Sequence, residues 1–354
     1  MGVRILGPTE NNQINRILFH YDLSPYNLTS HGSLIKIETN SGTFALKQKA
    51  LSEHQIRSLQ TVYALARRLV IDAVCPLPSK YGELVIWGEN LSFYLMPWFH
   101  ETVDDSDLPE RYRHLFIKAG QLHRQTLEKE AECVALYQNM VRVLNSRQTV
   151  WENFLYRAEH QVYPSPFEQV VMKSASIYLT NMQRAKDFFS QEKDADGKNK
   201  KMRRALCHGR LSPLHLLIEK ERSCLTNFEN SEDGFFVVET ASLFEQASAV
   251  LSAGKTDWRG FFTSYSSACP MFDEEKEFLL HFLLFPSAHA ELLGRYIQSE
   301  SKSEQWFVRR WTNLCRVHQD MFTSIKQVMN EEQKKKEELL AKEAEENKKE
   351  SDDT

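Results

Sequence analysis

Four stretches of the chain carry residue types able to handle a charged group. Lys47 ends the run Phe44-Ala45-Leu46-Lys47 just before a helical pattern, and His123 sits in AGQLHRQT at 119–126. LCHGRLSPLHLLI at 206–218 brings His208, Arg210 and His215 close in sequence, and CLTNFEN at 224–230 holds Asn227 and Glu229 two positions apart. A guanidinium is cationic at any relevant pH and accepts no proton. Arg210 therefore has two readings. One is an ion pair with a carboxylate such as Glu229 that holds its loop closed. The other is a cationic pocket, built with His215 and Lys47, for a phosphate or another anion. His215 is not read as a zinc ligand, because no Cys or His stands at ligand spacing and His208 is seven residues away.

These residues need elements to position them. SLIKIETNSGTFALKQK at 33–49 alternates Ile35 and Ile37 with Lys36 and Glu38, turns at Asn40-Ser41-Gly42 and returns, which predicts a β-hairpin. Ser52 opens a helical pattern running to about Leu69, and short strands are expected near 83–87 and 92–98. Beyond His100 the apolar spacing is helical over 108–130, 148–163, 166–190, 273–298 and 301–330. Residues 205–218 and 223–238 read as strand-like runs separated by turns, and 190–204 as an exposed loop. The expected fold class is α+β with two lobes. A small antiparallel-sheet N-lobe over 1–98 precedes a mainly helical C-lobe over 99–329, and 330–354 form a charged tail, a frayed helix fading into disorder.

Composition narrows the function classes. The chain has 354 residues, 42% hydrophobic and 11% aromatic, which is ample for a buried core. A formal net charge of −4 gives no basic excess for a nucleic-acid partner. Its six cysteines include no C-x-x-C pair, so reduced, buried thiols are expected. No segment approaches the roughly 18 apolar residues of a membrane span, and the first residues lack the apolar core of a signal peptide. A reducing, cytoplasmic-type compartment follows as the expectation.

Four pieces, in order, resemble the aminoglycoside-phosphotransferase and choline-kinase branch of the protein-kinase-like fold. They are FALKQ, AGQLHRQT, the 206–218 loop and CLTNFEN. His208, Gly209, Leu211, Pro213, Leu216 and Leu217 match in register that family's H-G-D-[LF]-x-P-x-N-[LIV]-[LIV]. Further stretches, LMPWF at the inter-lobe link and GFFTSYSSACPMFDEEKEFLLHFLLFP at 260–286, are similar to bacterial spore coat proteins of the CotS type. The resemblance covers roughly residues 10–325.

Phosphoryl transfer in that family needs a carboxylate at the accepting hydroxyl and an Asn/Asp pair for Mg²⁺. Here Arg210 replaces the first, His215 the metal-binding Asn and Asn227 the metal-binding Asp, with Glu229 as the one carboxylate nearby. A glycine-rich loop is not recognisable in 23–34, and Glu53 lies too early in its helix to pair with Lys47. The resemblance thus implies a catalytically degenerate protein, a pseudokinase and not an enzyme, with no catalytic residue. Lys47, Arg210, His215 and Glu229 remain as vestigial nucleotide or anion contacts, with no metal site and no cofactor, ATP with Mg²⁺ being the candidate. It also implies a structural or assembly role in the endospore coat, reached from the mother-cell cytoplasm, with other spore coat proteins as partners. Two alternatives stay open: a nucleotide- or anion-binding sensor, and a small-molecule phosphotransferase with a rewired site, in which Glu229 would serve the metal.

Overall fold

Alternating burial along β3 (Leu34–Thr39) follows its sequence, with Ile35 and Ile37 facing the core and Lys36 and Glu38 half-exposed on the opposite face. Thr39 pairs with Gly42, so Asn40 and Ser41 form a two-residue turn into β4 (Gly42–Lys49). The computed structural model describes residues 3–5, 8–32, 34–68, 70–88, 91–104, 106–220, 222–298 and 302–352. Ser33 and Leu69, where the expected hairpin and the following helix begin and end, lie outside them.

Two units are present, Met1–Leu127 with Ala205–Gly234, and Glu128–Arg204 with Phe235–Thr354. In the first, β1 (Val3–Ile5), β2 (Pro25–His31), β3, β4, β5 (Ile86–Trp87) and β6 (Ser92–Pro97) make an antiparallel sheet ordered β1-β2-β3-β4-β6-β5. Helix α1 (Pro8–Phe19) packs Ile14, Ile17 and Leu18 onto Ile37, Leu46, Phe93 and Leu95 of the sheet. Neither α1 nor β2 is legible in the apolar periodicity. Helix α2 (Glu53–Arg67) starts at Ser52 through a capping box with Gln55, and α3 (Leu108–Gln125) starts at Asp107 with Pro109 in its first turn. Two short strands, Leu216–Glu219 and Arg222–Leu225, pair antiparallel, as do Ala205–Cys207 and Glu232–Gly234.

The second unit is helical: α4 (Val134–Glu159), α5 (Pro166–Phe189), α6 (Phe236–Val250), α7 (Trp258–Ala268), α8 (Asp273–Leu283), α9 (Ser287–Ile297) and α10 (Glu304–Asp352). Its core is aromatic. Trp151, fully buried, has the rings of Tyr178, Trp311 and Phe285 at 5.3, 5.5 and 6.0 Å.

Three expectations are corrected. The single helix over 273–298 is broken into α8 and α9 at Pro286, which caps α9 and supplies no amide hydrogen to continue a helix. The apolar run at 235–238 opens α6 instead of ending a strand, since a short apolar run is the same for a strand and a buried helix start. The buried face declares itself only further on, at Ala241, Leu243, Phe244 and Ala247. Helix α4 begins at Val134, not at 148, with Tyr137, Met140 and Leu144 as its extra buried positions. All six cysteines are free, and no described helix is long and apolar enough to cross a membrane.

Candidate functional site

β4 and β6 set Lys47 opposite Tyr94 in register, so the two side chains emerge side by side on one face, with the ammonium 5.7 Å from the ring centre. Lys47 Nζ donates to Asn227 Oδ1 at 2.6 Å and to Glu229 Oε1 at 2.7 Å. The Tyr94 hydroxyl donates to the same Glu229 oxygen at 2.9 Å, and Lys49 reaches it at 3.3 Å. The lysine that the family resemblance would pair with a helix carboxylate is therefore held from the turn after Leu225. Glu229 lies in a 3₁₀ turn, Phe228–Asn230, entered through Asn227 in the left-handed region at φ 66°. Asn tolerates that backbone better than most residues, and here it places the amide oxygen on Lys47.

Glu229 is 1% exposed. Burial alone would raise its carboxyl, but the charge and hydrogen bond of Lys47, with the Tyr94 hydroxyl, outweigh it and hold the group at about 2. Burial pulls the Lys47 ammonium down, and Glu229 opposes that pull. Both groups are charged at neutral pH, and Lys47 keeps one N–H for a further acceptor.

The 206–218 loop is pinned from several directions. The Arg210 amide donates to His208 Nδ1 at 3.3 Å, which requires the proton on Nε2; that nitrogen donates to the Thr226 carbonyl at 2.8 Å. Buried His208 is thus a neutral brace. Gly209 has φ +76°, and a Cβ there would meet the Asn230 carbonyl oxygen at 2.0 Å, so only glycine lets the loop pass. Arg111 of α3, 2% exposed, donates to the carbonyls of Pro213 at 2.8 Å and Leu216 at 2.6 Å. Thr126 just past α3 accepts from the Leu206 amide at 3.0 Å. α2 contributes Gln55, which donates to Asn230 Oδ1 at 3.1 Å, and Ser58, which donates to the Ser231 carbonyl at 2.7 Å.

His215 ends a 3₁₀ turn, Pro213–His215, capped by Ser212. Burial lowers its pKa, so the ring is neutral at pH 7. Nδ1–H donates to the Arg210 carbonyl at 2.7 Å, leaving the Nε2 lone pair without a partner among the described residues. Arg210 is exposed, and its guanidinium has no partner among the described residues, because Glu229 is taken by the two lysines. Lys47, Lys49, Arg210, His215, Asn227 and Glu229 line one cleft of about 400 Å³. At neutral pH its positive charges are Lys47, Lys49 and Arg210; His215 adds none.

The structure thus brings together Lys47, Arg210, His215, Asn227 and Glu229. His123, expected as a structural residue, is buried. Sequence reasoning missed Tyr94 and Arg111. Tyr94 was legible only as one of four aromatics in SFYLMPWF. Arg111 sits four residues before the fully buried Leu115, on the face α3 turns inward, a place where a charge signals a specific buried partner.

The fold is that of the aminoglycoside-phosphotransferase-like kinases. It resembles the aminoglycoside phosphotransferase of Alicyclobacillus acidocaldarius with a TM-score of 0.71 at 13% identity, covering 93% of this chain and 98% of that one. Spectinomycin phosphotransferase, solved with ADP and spectinomycin, has a TM-score of 0.53 at 10% identity over 89% and 98% of the two chains. Amicoumacin kinase, solved with AMP-PNP and Ca²⁺, has a TM-score of 0.51 at 12% identity over 89% and 93%. No protein-family model matches the sequence, and no curated protein matches it.

These comparisons correct the expectation of a pseudokinase that is no enzyme. The proteins that this fold resembles over nearly their whole length are phosphotransferases and kinases of small molecules. Substitutions at 210, 215 and 227 therefore describe a different residue set, and do not place the chain outside the enzymes.

Proposed function

We propose that the chain is a small-molecule phosphotransferase whose cleft works with a rewired residue set. The observation that carries this reading is the buried Lys47, clamped by Asn227 and Glu229 on the floor of a cleft whose wall is Arg210 and His215. Phosphoryl transfer asks a protein mainly for positioning and charge stabilisation. Lys47, Lys49 and Arg210 would hold the phosphate oxygens of a nucleotide. Neutral His215, oriented by the Arg210 carbonyl, has a free Nε2 suited to take the proton of an accepting hydroxyl, the task of a general base.

Mg²⁺ fits this site poorly. A hard cation wants several oxygen ligands and charge to match. The cleft offers one carboxylate, already bonded to two lysines, and side-chain amides of which Asn227 Oδ1 is taken by Lys47 and Asn230 Oδ1 by Gln55. No step is assigned to a metal.

The test incubates the protein with ATP and a panel of hydroxyl and amino-sugar acceptors, reading product by mass spectrometry and stability by thermal unfolding. Nucleotide at a hundred times its Kd should stabilise the chain by about 2.7 kcal/mol without Mg²⁺. Lys47→Ala should abolish that shift, and His215→Asn should lower turnover about 100-fold or more while keeping it. Absence of both product and shift sinks the reading.

A place in the spore coat, reached from the mother-cell cytoplasm and shared with other coat proteins, is a separate proposal. Its support is the likeness of LMPWF and 260–286 to coat proteins of the CotS type. Steady expression in growing cells with absence from purified spores would end it.

A further inference from the structure

A groove of about 930 Å³ lies away from this cleft, between α5, α8 and α10. Its apolar surface includes Ile177, 62% exposed, with half-buried Leu284 and Phe322. Arg184, Arg316 and Lys326 line it as well, and none has a hydrogen bond or ion pair to a described residue. The carboxylate among its lining residues, Asp320, already accepts from the Gly254 amide at 3.1 Å. An occupant that fits is apolar on one side and acidic beside it.

The chain itself contains such a segment. Helix α10 is tied down by Arg259–Glu331, Lys276–Glu332 and Lys336–Asp273, at 2.8, 2.8 and 3.1 Å. From Glu338 to Lys342 no side chain has a described partner, and Leu339 and Leu340 are 60% and 56% exposed. Within residues 337–342, EELLAK, Glu337 and Glu338 stand directly before those leucines. Thr323, in the groove, and Leu340 are 17 residues apart on one helix, about 26 Å at 1.5 Å per residue. An unbroken α10 therefore cannot lay its tail in its own groove.

We propose that the groove receives the 337–342 segment of a second copy of this chain, with Leu339 and Leu340 over Ile177 and Phe322 and Glu337 and Glu338 against Arg184, Arg316 and Lys326. The contact joins an apolar patch to a complementary charged rim, which favours one register over non-specific adhesion.

Sedimentation velocity of the full chain over a range of concentrations tests it. A mass above one chain should appear with concentration and recede in high salt, which screens exposed charges. The double variant Leu339→Asp/Leu340→Asp should be monomeric at an unchanged Tm, because both leucines are exposed. Arg184→Glu/Lys326→Glu should weaken association about tenfold or more, and mixing it with Glu337→Lys/Glu338→Lys should restore it. A full chain that stays monomeric, or an oligomer that survives the leucine substitutions, overturns the proposal. So does a monomer whose groove takes a fatty-acid anion such as dodecanoate, which would make it a small-molecule site.

Discussion

Two buried polar clusters in this protein are built on opposite principles. Around Glu229, a carboxylate, two lysines, an amide and a phenol meet in a cleft. In the helical unit, Tyr178 bonds His289 at 2.9 Å, His318 donates to the Leu283 carbonyl at 2.6 Å, and Trp311 closes on His289 at 5.1 Å. Burial lowers both imidazoles, so that cluster is neutral. Charge buried in a fold costs several kcal/mol per ion before pairing returns it, and an apolar replacement is often as stable. A neutral cluster carries no such cost. The charged cluster is thus the one whose composition packing alone does not explain, and it borders the cleft.

The comparison breaks most sharply at Glu229. Glu229→Ala leaves Lys47 buried without its counter-charge and should cost about 3–5 kcal/mol in urea unfolding. A loss below about 1 kcal/mol would mean that Lys47 escapes to water, and the cluster would rank with surface pairs.

pH separates the two clusters next. The Glu229 carboxyl lies at about 2 when folded against an ordinary 4.5, so its contribution is complete above about 4.5 and is lost as pH falls toward 2. That gap corresponds to about 3 kcal/mol. His289 and His318 are held below their ordinary 6.5, so the unfolded chain takes up protons first. Stability should fall with pH from about 6.5 downward, by about 1.4 kcal/mol per pH unit for each histidine. His318→Gln should flatten that slope by one proton while leaving the acid limb below 4.5 unchanged; an unchanged slope would mean that His318 is charged in the fold.

The smallest expected effects come from the two phenols. Tyr94→Phe removes a donor from an ionised carboxylate and should cost about 2 kcal/mol, with the acid limb moving to higher pH. Tyr178→Phe removes a neutral bond to His289 and should cost about 1 kcal/mol with no such movement. Equal costs would erase the distinction between the clusters.

Much of the frame was legible in the chain. The β3–β4 hairpin follows from strict alternation and a polar turn. α2 follows from Ser52 and Gln55, α5 from Ser165, Pro166 and Glu168, because caps are local in sequence. The 206–218 loop was readable from its resemblance to a family pattern, although the backbone that His208 and Gly209 answer to lies at Thr226 and Asn230. Hidden elements were those whose burial is decided elsewhere. α6 buries Phe236, Val237, Ala241, Leu243 and Phe244 at helical spacing behind an apolar run that reads as strand at its start. α1 is a largely polar helix whose three inward residues have meaning only against the sheet.

By itself, then, the sequence determined the residue types at the site, the local turns that carry them and the two-lobed α+β class. It could not determine partnership. One of the two readings of Arg210 pairs it with a carboxylate such as Glu229, whereas the fold gives Glu229 to Lys47, 182 positions away, with Tyr94 beside it. Charge pairing and burial depend on distance in space, and the order of the strands fixes that distance. Whether His215 adds a charge or a lone pair was decided the same way, by how much water the folded loop removes from its ring.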